Sequence, residues 1–177
     1  MRNVLNNLYL VSGYLSGLCI FLIMTLIMSQ VIGRLFGFIV PSVEDFSGYS
    51  LAAATFLGLA YTFHEGGHIR VNLAIKFLPP KARKIQEFAI LVAAVLLCGF
   101  MSYYTIHLVW ESYVFEEVSY GYIPIPIWMP QVPVALGVVM LNIAIIDALW
   151  SLVTGNNPSY MSHEDELDLE SGLGGDN

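Results

Sequence analysis

Residues 8–32 read LYLVSGYLSGLCIFLIMTLIMSQVI, twenty-five positions without an Asp, Glu, Lys or Arg. A hydrocarbon layer of about 30 Å is crossed by roughly 20 such residues in a helix, and lipid tolerates only backbones that satisfy their own hydrogen bonds. The stretch therefore predicts a membrane-spanning helix. Working outward, three more apolar runs of similar length follow: Phe46 to Phe63 and Phe88 to Trp110, both without a full charge, and Val132 to Val153, with Asp147 alone. The composition agrees, with 56% apolar residues, 12% charged residues and a mean hydropathy of +0.68, well outside the soluble range. The expected architecture is an all-α integral membrane protein of four spans, with residues 1–153 as one membrane domain and 154–177 as an acidic, disordered cytoplasmic tail. The first run follows Arg2 as a signal peptide would. It is about twice the length of a signal core and is followed by no small-residue cleavage site, so it is expected to stay as an anchor.

Orientation follows from the seven basic residues, because Lys and Arg accumulate in short cytoplasmic segments. Arg70, Lys76, Lys81, Arg83 and Lys84 all lie between the second and third runs, and Arg2 precedes the first. Both chain ends are then inside, and Arg34 alone falls outside. The segment from Glu111 to Ile125 carries no base. It and its flanks carry Trp110, Tyr113, Phe115, Tyr120, Tyr122 and Trp128, aromatic types that settle at headgroup level, so Trp110 and Trp128 are expected at the membrane interface. Of the fourteen acids, six (Glu164, Asp165, Glu166, Asp168, Glu170, Asp176) lie in the tail, which accounts for most of the net charge of −7. The few bases are explained by topology, and nucleic-acid binding has no support.

Pro41-Ser42-Val43-Glu44-Asp45 reads as a helix start, with Ser42 as N-cap, Asp45 closing a capping box, and the acids suited to the positive end of the helix dipole. Pro124, Pro126, Pro130 and Pro133 predict an extended approach to the fourth span. Small residues recur four apart inside the spans: Ser12 and Ser16 beside Gly13 and Gly17; Ser50, Ala54 and Gly58; Ala94, Cys98 and Ser102. In lipid, where apolar burial does not drive helix association, such stripes mark close helix packing, within this chain or against another. Cys19 and Cys98 fall inside spans and read as small apolar packing residues.

Chemistry is scarce. No phosphate-binding P-loop, no Ser-His-acid set and no facing carboxylate pair is present, so neither an enzyme nor an ATP-driven pump is indicated. Asp147 is the only full charge at membrane depth, close enough to the inner end to reach the interface. A small proton-coupled exporter working through Asp147 is one alternative. A haem-bearing anchor is another, but His64 and His68 lie at the inner end of the second span and His107 near the outer end of the third, which does not suit an axial pair. No cofactor or metal is expected.

The order of Arg34, Glu44-Asp45, Gly58, Gly67-His68-Ile69-Arg70-Val71-Asn72, Leu78-Pro79 and a basic start to the third span resembles the small membrane subunit of tripartite ATP-independent periplasmic (TRAP) transporters. Ile125-Pro126-Ile127-Trp128 with Pro133 and Gly137 resembles that family's approach to its fourth span. The resemblance implies an accessory subunit of a bacterial inner-membrane, ion-gradient-driven uptake system for an organic acid or similar solute. Its partners would be a large permease subunit, a periplasmic substrate-binding protein and membrane lipid. Arg34, Glu44, Asp45, Ser50, Ala54, Gly58, His68 and Arg70 are the expected partner-binding residues, with Arg34 paired to the two acids in one outer cluster. Residues 69–77 alternate apolar and polar, which alone suggests a strand. A lone strand beside a bilayer leaves its backbone unpaired, so an amphipathic helix along the inner surface is expected instead.

Overall fold

The computed structural model describes residues 2–64 and 80–154. Four helices make up nearly all of this: α1 (Arg2–Leu35), α2 (Val43–His64), α3 (Pro80–Val114) and α4 (Trp128–Val153). At 1.5 Å per residue the 34 residues of α1 and the 35 of α3 reach about 50 Å, well past the hydrocarbon layer, so each extends beyond it or tilts. Pro80 opens α3 at its first position, where the fixed φ suits the helix and a missing N–H removes no intrahelical bond. The expected inner-surface helix at 69–77 and the acidic tail lie outside the described residues.

Two helix ends close in the same way. In α1, Gly37 takes a φ of 80°, while Phe38 N–H donates to Gly33 O at 3.0 Å and Gly37 N–H to Arg34 O at 3.2 Å. In α3 the left-handed residue is Glu116 (φ 50°), with Glu117 N–H on Ser112 O and Glu116 N–H on Tyr113 O. Both are Schellman closures, which satisfy carbonyls the helix leaves without partners and turn the chain back sharply. The first feeds a seven-residue connection to α2, the second a thirteen-residue loop to α4.

Packing runs in a row: α1 on α2, α2 on α4, α4 on α3. The small residues decide where backbones meet. Ser16 of α1 donates its hydroxyl to Ala54 O of α2 at 2.7 Å, and a Cβ on Gly58 would meet that same Ser16 Oγ at 2.9 Å. A Cβ on Gly137 of α4 would come within 2.8 Å of Leu57 N and closer still to the Phe56 carbonyl, so only glycine permits this crossing. Tyr9, Ala60 and Ala144 form one buried cluster shared by α1, α2 and α4. Leu91, Ile145 and Ala148 form a second between α3 and α4, with Ala94 and Cys98 packed against it. All three small-residue stripes thus contribute to packing inside the chain.

Among the described residues three helices are long and apolar enough to cross a membrane, over Leu5–Leu35, Ile85–Val114 and Trp128–Val153. The 22-residue α2 has the length but falls short in apolarity. It is flanked by α1 and α4, and its Ala53, Ala54, Leu57 and Ala60 are buried, so much of its surface never meets lipid.

Two local expectations are corrected. Ser42 O accepts Phe46 N–H as an N-cap carbonyl should, but Ser42 sits at φ 57° and its hydroxyl accepts the distant Ile123 N–H at 3.0 Å. The side chain is turned to the α3–α4 connection, and among the described residues Asp45 closes no capping box. The proline-rich approach is shorter than expected. An isolated bridge pairs Val118 with Pro126, but α4 already begins at Trp128, placing Pro130 in its first turn and Pro133 inside it. Pro130 lacks a donor that would have no intrahelical acceptor anyway, and Pro133 forfeits a single bond.

Candidate partner-binding surface

The α1–α2 and α3–α4 connections lie at one end of the bundle, the end expected from the basic residues to face outward. Glu117 organises the second connection: its carboxylate accepts the Ser112 hydroxyl at 2.8 Å and its carbonyl accepts Ile127 N–H at 2.9 Å. Ser119 N–H donates to Ile125 O at 2.8 Å, which narrows the loop and projects its tip. Tyr120 and Tyr122 at that tip are almost fully exposed. The loop is pinned to the start of α2 by the Ile123–Ser42 hydrogen bond and by Gly121, whose missing side chain leaves room for the Asp45 carboxylate.

The two connections enclose a cavity of about 520 Å³ lined by Gln30, Arg34, Ser42, Glu44, Asp45 and Tyr122, with Ile39, Val40, Pro41 and Val43 as its apolar part. The expected outer cluster is thus brought together: Arg34 from the last turn of α1 faces the same space as both acids from the first turn of α2. The expected pairing is not found. Among the described residues no ion pair within 4 Å joins Arg34 to either acid. Burying a guanidinium is costly unless it is paired, but Arg34, like Glu44, is exposed, and water meets that need at this depth.

The stripe of Ser50, Ala54 and Gly58 is placed differently. Ser50 is buried and donates its hydroxyl to Phe46 O at 2.8 Å, and Ala54 and Gly58 meet Ser16 of α1. A surface left open borders the α1–α2 contact. Gly17 has nothing within 4 Å of where its side chain would be, and Leu10, Gly13, Tyr14 and Tyr61 line a groove of about 230 Å³ one turn away. His68 and Arg70 lie outside the described residues. Trp110 is exposed, while Trp128 is half-buried with its ring edge-on to Tyr113 at 5.8 Å.

The remaining polar groups do not converge. His107 Nδ1 lies 3.4 Å from Glu111 Oε2, one turn away and half exposed, with its ring stacked on Tyr103. His64 ends α2 at the opposite end of the bundle. Asp147 is half-buried in α4, within electrostatic range of the buried Tyr9. Among the described residues no group of three metal-ligating side chains is found.

Sequence reasoning missed Gln30, Tyr122 and the Gly121–Asp45 contact. Gln30 was findable, since it precedes Arg34 by four residues and shares its helix face. The other two depend on how the loop folds over α2, which no local pattern encodes.

The model of the family described as "Tripartite ATP-independent periplasmic transporters, DctQ component" matches residues 23–155, about three quarters of the chain. No curated protein matches it. The matched family works in three-part systems with a second membrane component and a substrate-binding protein. The match begins within α1 and runs one residue beyond the described part of the chain, taking in the cavity between the helix connections and the α2–α4 and α4–α3 crossings. The chain therefore belongs to the DctQ component family of the TRAP transporters, as a transport subunit of the bacterial inner membrane and not an enzyme.

Proposed function

We propose that this chain crosses the membrane four times with both ends in the cytoplasm, and that it braces the large permease subunit of an ion-gradient-driven transporter for an organic acid or similar solute. The observation that carries the bracing role is the row of helices. α1 packs mainly on α2 and α3 mainly on α4, and the most apolar window of α1 has none of its residues buried within the chain. A helix this apolar on every side has a free face for lipid or another helix. The exposed Gly17 and the groove beside it provide the close approach that helix pairing in lipid depends on. α2, more polar but flanked on two sides, counts as the fourth span.

The large subunit seats against α1 over Gly17, and the substrate-binding protein meets the outer end at Arg34, Glu44, Asp45 and the exposed Tyr120 and Tyr122. His68 and Arg70 serve contacts on the inner side. The test is co-purification of the two membrane subunits with Gly17→Leu. A Cβ at Gly17 meets nothing inside the chain and the position is exposed, so the chain should accumulate normally while the large subunit is lost from the pull-down. A complex that survives Gly17→Leu intact places the interface elsewhere.

A further inference from the structure

We propose that the outer cavity between α1 and α2 holds the headgroup of a phosphatidylethanolamine from the surrounding membrane. The inference goes beyond the accessory role and rests only on the outer end lying at headgroup depth. Four observations meet here. The cavity, at about 520 Å³, falls within the range of small-ligand sites. It presents both signs of charge, a guanidinium from α1 and two carboxylates from α2. These groups do not pair across it within 4 Å, although all three line the same space. Finally, it opens where α1 ends, among half- to fully exposed Leu35, Phe38 and Ile39, with Ile27 and Val31 exposed on the turns of α1 below.

A ligand that satisfies both ends must be a zwitterion with a hydrocarbon part. Its phosphate suits Arg34, whose planar fork matches phosphate oxygens, with the Gln30 amide one turn below as a second donor. Its cation suits Glu44 and Asp45. A primary ammonium offers three N–H donors to these acids, whereas a choline headgroup offers none. Anionic lipids are disfavoured, because Glu111, Glu116 and Glu117 add to the negative charge of this end and Arg34 is its one base among the described residues. The acyl chains then lie against the apolar flank of α1. A lipid so placed would form part of the surface that Tyr122 and the α2 acids present outward.

The experiment is native mass spectrometry of the complex with the large subunit. It is first delipidated, then mixed with detergent micelles carrying phosphatidylethanolamine, phosphatidylcholine or phosphatidylglycerol at equal concentration. Phosphatidylethanolamine should be retained over the other two. Arg34→Ala, and separately Glu44→Gln with Asp45→Asn, should each weaken that retention by about tenfold, with Arg34→Lys partly restoring it. Should a variant fail to assemble, the preference among the three lipids in the unaltered complex decides. Equal retention of the three lipids overturns the proposal, as does retention unmoved by either variant. Loss of affinity for the substrate-binding protein in lipid-free detergent, with lipid retention unchanged, also overturns it and assigns the cavity to protein docking.

Discussion

Gly137, Gly58 and Gly17 are the same residue in three different surroundings, and they should respond to alanine in that order. At Gly137 a methyl meets the α2 backbone, which cannot rotate away. Overpacking of this kind costs about 1–3 kcal/mol and outweighs the ~1 kcal/mol that alanine gains in helix propensity. At Gly58 it meets the Ser16 hydroxyl, which can turn aside at the expense of its bond to Ala54 O; interhelical bonds in lipid average about 0.6 kcal/mol, so the change should be close to neutral. At Gly17 nothing is met, and the chain alone should gain up to about 1 kcal/mol. Thermal unfolding of the detergent-solubilised chain reads all three, and Gly137→Ala proving as benign as Gly17→Ala would contradict the α2–α4 crossing. The glycine at 137 was visible in the sequence, but its role was not. Spacing within one helix says which residues share a face and cannot say what a glycine on another helix will touch.

The helix ends separate what was legible from what was not. The spans were visible because each is a long apolar run with at most one full charge, Asp147 in the last, and their expected limits fall inside the observed helices. The ends were not, because α3 and α4 continue past the apolar run into residues that leave the lipid: Pro80 through Glu87 at one end of α3, Trp128 to Gln131 at the start of α4. Ser42 shows the cost of reading a cap from neighbours alone, since its hydroxyl answers to Ile123, 81 residues away. Two changes test these ends. Glu116→Gly removes a left-handed conformation worth roughly 1–2 kcal/mol in a non-glycine residue and should raise the melting temperature. Ser42→Gly trades the same relief for the lost hydrogen bond, about 1 kcal/mol, and should be nearly neutral, whereas Ser42→Ala keeps the strain, loses the bond and should destabilise. Equal effects of glycine and alanine at Ser42 would show that the backbone there is relaxed.

At the scale of the whole molecule, the charged end of the bundle should act through assembly and encounter more than through stability. Exposed charges at a membrane–water boundary contribute about 1 kcal/mol or less, so Glu44→Gln with Asp45→Asn should leave the amount of assembled complex unchanged. If these acids steer the substrate-binding protein, the same variant should slow uptake at low ionic strength and converge on the unaltered rate as salt rises. Uptake equal at every salt concentration would remove them from docking. The topology is open to direct labelling in a background without Cys19 and Cys98. A cysteine at Tyr120 should react from outside in intact cells, and one at Thr154 only after permeabilisation. The most direct test of the accessory role is solute uptake by the reconstituted three-part system, compared with the large subunit and binding protein alone and with this chain alone, under an imposed ion gradient. A bracing subunit gives full uptake only when all three components are present and none from this chain alone; gradient-driven uptake by this chain alone, or undiminished uptake in its absence, would contradict it.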